Sequence, residues 1–215
     1  MVALFQAVLF TVLFYVVPLL GVPARILDPR VAFLALGSVV MFTSQPAVTF
    51  REAAARSGND RFSYFAIMGA GLVSQLVPVI HWGYLGAYRP LREDLAWVVP
   101  GAALVVGGLA FRVWAIRVLG RNFTATVETR EDQPVVRTGP YAVVRHPSYL
   151  GSLVAVTGSA IVLHSLPGTV LAFVAMLAAY AYRVTVEEEV LLRDLGEAYA
   201  AYREDVRSRL LPGIW

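Results

Sequence analysis

What most constrains this chain is where its charges are not. No Asp, Glu or Arg occurs before Arg25, between Arg30 and Arg51, between Arg61 and Arg89, between Asp94 and Arg112, or between Arg145 and Arg183, and Lys is absent altogether. A helix rises about 1.5 Å per residue, so roughly 20 apolar residues cross the hydrocarbon layer of a bilayer. Spans are expected over residues 2–20, 31–50, 62–82 and 95–119. A shorter pair, 149–163 and 169–182, follows around the turn His164-Ser165-Leu166-Pro167-Gly168. Each member of that pair is marginal for a full crossing, which leaves a tight helical hairpin or two tilted helices. The expected fold class is all-α, a polytopic integral membrane helix bundle of about six spans. Composition agrees: 15% of residues are charged, against about 25% in soluble domains, so water could not be kept from this much apolar surface.

Arginine placement orients the bundle, because cytoplasmic loops are enriched in basic residues. One side would hold Arg51, Arg56, Arg61, Arg117, Arg121, Arg130, Arg137, Arg145, Arg183, Arg193, Arg203, Arg207 and Arg209. The other would hold only Arg25, Arg30, Arg89 and Arg92, with Arg112 inside a span. The thirteen-to-four excess places the polar segments 120–148 and 183–215 and both termini in the cytoplasm. The same rule explains the net charge of +3 without nucleic acid as a partner. The N-terminus lacks the basic start of a signal peptide, and its apolar stretch exceeds the usual length of about 7–15 residues, so it is expected to be a retained first span. Arg-only basic usage with abundant Ala, Val, Gly and Leu suggests a bacterial genome of high GC content, hence a bacterial plasma membrane. No cysteine is present, which removes disulfides, thiolate metal sites and thiol nucleophiles; no metal is expected.

Gly69, Gly71, Gly101, Gly107, Gly108, Gly151 and Gly158 are expected at close helix contacts, and Pro18, Pro46, Pro78 and Pro100 at kinks or helix ends. A single domain, 1–215, is expected: spans over 1–119, and loop, hairpin and C-terminal helix over 120–215. After Arg183 the pattern changes. Leu191, Leu195, Ala198, Tyr202 and Val206 recur at helical spacing among charges, predicting an amphipathic helix on the membrane surface or against the bundle.

Two stretches carry candidate chemistry. In residues 139–151, GPYAVVRHPSYLG, proline and glycine stiffen the backbone just before an apolar run. Arg145 and His146 offer donors for an anion, and Tyr141 and Tyr149 offer flat surfaces for a ring. The alternative is a basic anchor at a helix start. In residues 183–189, RVTVEEE, Arg183 and Glu187 share a helix face. Successive carboxylates beyond a span must be solvated or paired. Either they form a solvated charge run, or one holds a cationic or hydroxyl-rich cofactor while Arg183 holds an anionic group.

The order LGRNFTATV, VVRTGPYAVVRHPSYLG, RVTVEEEVLLRDLGEAYAAYREDV and a final LP resembles the isoprenylcysteine carboxyl methyltransferases and their bacterial membrane relatives over residues 119–212. The resemblance implies an S-adenosylmethionine-dependent methyltransferase with its cofactor between the RHP loop and the C-terminal helix. It implies cofactor contacts from Tyr141, Arg145, His146, Pro147, Ser148 and Tyr149, from Glu187 and Glu188, and from Val135 and Val136. Gln133 and Pro134 stand where the family has a His-x motif. It implies Arg183 as the arginine positioning the acceptor and Asn122 as a second polar acceptor contact. The acceptor implied is a prenyl-like or lipid acid entering from the bilayer, with membrane lipids around it. Methyl transfer from a sulfonium to a carboxylate neutralises opposite charges, so a dry site favours it. Two other chemistries share parts of the pattern: phospholipid-type N-methylation and NADPH-dependent reduction of a sterol-like double bond. Transport has weak support, since Arg112 and His81 are the ionisable residues near spans.

Overall fold

The computed structural model describes residues 2–49, 51, 52, 54, 55, 60–124, 126, 127, 129 and 133–215. Phe50, Arg56 and Arg130, used above, lie outside the described residues. Six apolar helices account for the charge-free runs: α1 (Val2–Thr11), α2 (Pro29–Thr43), α3 (Ser63–Ile80), α4 (Leu95–Leu119), α5 (Pro147–Val162) and α6 (Leu166–Asp205). No strand occurs among the described residues. With the helical turns that prolong them, Val2–Leu19, Ser63–Leu85, Leu95–Asn122 and Leu166–Asp205 are long and apolar enough to cross a membrane; Pro29–Thr43 and Pro147–Val162 are shorter apolar helices.

Local chemistry sets the ends. Asp28 caps α2 by accepting the Arg30 amide at 2.9 Å, with Pro29 in the first position. Ser165 caps α6 through the Gly168 amide at 3.2 Å, and Pro147 opens α5. α2 stops at Thr43, short of the expected 50, because Pro46 disfavours a helical conformation in the residue before it.

The amphipathic C-terminal helix expected after Arg183 is the outer part of α6. α6 continues through Arg183 without a break and bends only at Gly196, where φ is 51°. The change of pattern after Arg183 marks where the helix leaves the apolar layer, not where its backbone ends. Residues 166–195 alone span about 45 Å, more than the roughly 30 Å hydrocarbon thickness. The bend folds Tyr199, Tyr202 and Val206 back into a buried cluster with Val135, Leu191, Leu192 and Leu195 packed against it.

α4 and α5 touch backbone to backbone through Gly101, Gly108, Gly151 and Gly158. A Cβ on Gly108 would lie 2.6 Å from the Ala155 amide nitrogen and the Gly151 carbonyl oxygen. Gly69, Gly71 and Gly107 face open space instead, so the expected packing role does not extend to them. Gly108→Ala is therefore expected to cost about 1–3 kcal/mol by overpacking, read as a lower thermal midpoint in detergent, with Gly107→Ala as the near-neutral neighbour.

At the end remote from the candidate site, a buried network joins three turns. Arg30 pairs with Asp28 at 2.8 Å and Asp94 at 2.9 Å, and His164 Nδ1 lies 2.5 Å from Asp94. These contacts hold together the bundle end where the arginine-poor loops meet.

Candidate active site

The opposite end is built around one carboxylate. The backbone amides of Arg145 and His146 donate to the carbonyls of Ser208 and Arg209, each at 2.9 Å, so the RHP loop is laced to the C-terminal tail. The Arg145 guanidinium reaches further, donating to Glu188 Oε1 at 2.7 Å and to the Val206 and Arg207 carbonyls at 2.6 and 3.0 Å. His146 Nε2 lies 3.2 Å from the same Glu188 oxygen. Arg209 approaches Oε2 at 3.2 Å as an ion pair, not as an aligned hydrogen bond. Glu188 is 3% exposed, so these side chains replace its water. Arg145 and Glu188 thus join loop, helix and tail, and both are committed to that junction.

Burial alone would raise the Glu188 pKa, but hydrogen bonds and charges from His146 and Arg145 outweigh it and hold the carboxyl at about 2. A folded pKa below the unfolded value contributes stability that is complete above about pH 4.5 and is lost as pH falls toward 2. The difference in thermal midpoint between wild type and Glu188→Gln is accordingly expected to shrink over that window, which a pH series of unfolding curves measures.

Glu187 points elsewhere. It borders a cleft between residues 119–149 and the outer half of α6, and its Oε2 accepts from the Tyr149 hydroxyl at 2.6 Å. Asn122, His146 and Ser148 add polar groups to this cleft, and Val135, Val136, Leu191 and Leu195 line it with apolar surface. Tyr141, Tyr199 and Tyr202 complete it. Among the described residues the buried Tyr199 hydroxyl has no hydrogen-bond partner. Burial pushes the Tyr141 and Tyr199 phenols above their ordinary values, so both remain O–H donors. The open volume is about 80 Å³, below the roughly 300–1,000 Å³ of small-molecule sites.

A second cavity of about 670 Å³ lies within the bundle, walled by apolar side chains of α1, α2, α3, α5 and α6. Arg112 on α4 reaches it. This arginine is 5% exposed; it donates to the Ser148 carbonyl at 3.1 Å and to the Gln45 side chain, and among the described residues its Nε has no partner. Among the described residues no carboxylate forms an ion pair with it. Tyr149, which borders the cleft, stacks on Tyr180, which borders the cavity, with ring centroids 4.9 Å apart.

Of the residues expected at the site, Asn122, Val135, Val136, Tyr141, Arg145, His146, Ser148, Tyr149 and Glu187 line one cleft. Pro147, Glu188 and Arg183 do not line it. Pro147 opens α5 behind the loop. Arg183, 1% exposed, donates Nε to the Tyr149 hydroxyl at 3.1 Å and Nη1 to Ser63 Oγ at 3.0 Å and to Asp60. Sequence reasoning missed Asp60. Its position three residues before Ser63 at a helix start signals a cap, but nothing local signals a partner 123 residues away. It also left Arg112 without a chemical role.

The phospholipid methyltransferase family model matches residues 96–198. The chain is 32% identical over 146 residues to a protein-S-isoprenylcysteine O-methyltransferase of Dictyostelium discoideum, covering 66% of this chain and 59% of that protein. It is 32% identical over 140 residues to protein-S-isoprenylcysteine O-methyltransferase B of Arabidopsis thaliana, covering 63% of this chain and 71% of that one. In fold it resembles the eukaryotic intramembrane Ras methyltransferase, isoprenylcysteine carboxyl methyltransferase, with a TM-score of 0.58 and 21% identity over 98% of this chain and 74% of that one.

Proposed function

We propose that this chain, which belongs to the protein-S-isoprenylcysteine O-methyltransferase family, transfers a methyl group from S-adenosylmethionine to the carboxylate of a lipophilic acid. The observation that carries this reading is the nearness of two unlike spaces, a polar cleft bearing a carboxylate and an apolar cavity bearing an arginine that has no acidic partner among the described residues, linked through the stacked rings of Tyr149 and Tyr180.

The cleft residues fit the donor. Glu187 offers a carboxylate to a hydroxyl or ammonium group, the unpartnered Tyr199 hydroxyl awaits an acceptor, and Val135, Val136 and Leu191 offer apolar surface to a base. Bound there, S-adenosylmethionine supplies an electrophilic methyl group on a sulfonium. Seating the donor requires the cleft to widen, which would part Val127 from Val186 and Val190 and break the exposed bonds Thr129–Asp194 and Arg137–Asp205. Arg112 anchors and aligns the acceptor carboxylate. No general base is needed, since a carboxylate is already the nucleophile. The stacked tyrosines and the apolar walls keep water out, which favours a displacement that consumes charge. Arg183 acts behind the cleft, holding the Tyr149 hydroxyl that in turn donates to Glu187. The acceptor class is an S-prenylated cysteine or a related lipid acid that enters from the bilayer.

An amine acceptor fits less well, because a cation would meet Arg112. A phosphate-rich nicotinamide cofactor also fits poorly: the arginine bordering the cleft, Arg145, is spent on Glu188 and two carbonyls. The arginine excess supports a cytoplasmic site and cytoplasmic termini by the positive-inside rule, and the Arg-only basic usage supports a bacterial plasma membrane. Calorimetric titration of the detergent-purified protein tests the donor half. Saturable binding of S-adenosylmethionine is expected, weakened about tenfold or more in Glu187→Gln, with none for NADPH. Saturable NADPH binding and none for S-adenosylmethionine would overturn the reading.

A further inference from the structure

Asp60 is an acid buried at the wall of the site with no place in the mechanism above. It is 1% exposed and lies at the start of α3, where its carboxylate accepts from Ser63 Oγ at 2.5 Å and from the Tyr64 amide at 2.9 Å. The same carboxylate pairs with Arg183. The backbone bends to bring it there: the next two residues, Arg61 and Phe62, adopt φ of 46° and 59°, a left-handed conformation unfavourable for side chains of their size. The bend is pinned from outside by the Tyr182 hydroxyl donating to the Arg61 carbonyl at 2.7 Å and by Arg61 pairing with Glu189 at 2.7 Å. A cap alone needs no such strain, and strain of this kind persists where the surrounding structure imposes it.

Arg183 lies between two acids. Its Nε is 3.8 Å from Glu187 Oε2, one helical turn on, while its Nη1 is held by Asp60 and Ser63. With Asp60 neutralising it, Arg183 need not draw Glu187 inward, and Glu187 remains at the cleft with Tyr149 as its close partner. We propose that Asp60 is a positioning residue: by taking the charge of Arg183 it keeps the Glu187 carboxylate available to the methyl donor. This rests on the donor site proposed above. Without the Asp60 charge, Arg183 has Glu187 as its nearest carboxylate and competes with the donor for it.

The test uses detergent-purified wild type, Asp60→Asn, Glu187→Gln and the double variant. Asparagine caps helices about as well as aspartate, so Asp60→Asn removes the charge and keeps the cap. The expected result is a donor Kd and donor KM raised about tenfold in Asp60→Asn, with kcat within about twofold. In the Glu187→Gln background, Asp60→Asn should change donor affinity no further. Wild-type donor affinity in Asp60→Asn, or an effect fully additive with that of Glu187→Gln, would overturn the proposal. Absence of S-adenosylmethionine binding in the wild type would instead defeat the methyltransferase reading. Thermal unfolding of the same four proteins tests the sharing of the Arg183 charge independently of the donor. The double variant strips Arg183 of both acids and should lose more than the sum of the single losses; additivity there would overturn the proposal equally.

Discussion

Replacing Arg112 by Gln is expected to lower kcat/KM for a lipophilic acid acceptor by about 100-fold or more, while donor affinity stays within about twofold. The expectation follows from where the charge sits. Arg112 is buried in a span, borders the apolar cavity, bonds only neutral oxygens and has one buried N–H without a partner. A cation kept in such surroundings is costly unless an anion completes it. An acceptor carboxylate would do so while its tail fills the cavity. Glutamine preserves a polar contact to the Ser148 carbonyl but cannot offer charge, so the loss should fall on the acceptor alone. Initial rates with varied acceptor at saturating donor measure it; unchanged acceptor kinetics would remove Arg112 from the site.

Arg145→Leu should cause the largest loss of stability, about 3–5 kcal/mol, seen as a fall in thermal midpoint of roughly 10 °C or more. The substitution leaves Glu188 buried with its closest cation gone, and it strips the Val206 and Arg207 carbonyls of their donor. Since the loop and the tail meet through this guanidinium, donor binding should fall with the fold. A midpoint near that of wild type would show that Arg145 is held for a ligand and not for the junction.

The membrane bundle was legible because each helix is built around a charge-free run, and hydropathy reads that directly. The continuity of α6 was not, since periodicity reports the solvent around a helix and not its backbone, and the medium changes near Arg183. The pairing of the RHP loop with the start of the outer helix was legible as a pattern, and the structure brings His146, Tyr149 and Glu187 to one cleft. The different work of two adjacent acids was not. Glu187 and Glu188 are identical in sequence terms, and only a turn of about 100° along the helix sends one to the cleft and the other to Arg145. Asp60 was not legible, because it is defined by a partner far along the chain. Arg112 stood out as a charge inside a span, but the lack of an acidic partner among the described residues leaves no local trace.

The most direct test of the central claim is the fate of the methyl group. Purified protein in detergent is incubated with methyl-labelled S-adenosylmethionine and an N-acetylated, S-prenylated cysteine, and the product is treated with base. Transfer to a carboxylate predicts label in the lipid fraction that base releases as volatile methanol, with little release when Arg112→Gln replaces the wild type. Label that resists base, or no transfer by a protein that binds the donor, would contradict carboxyl methylation.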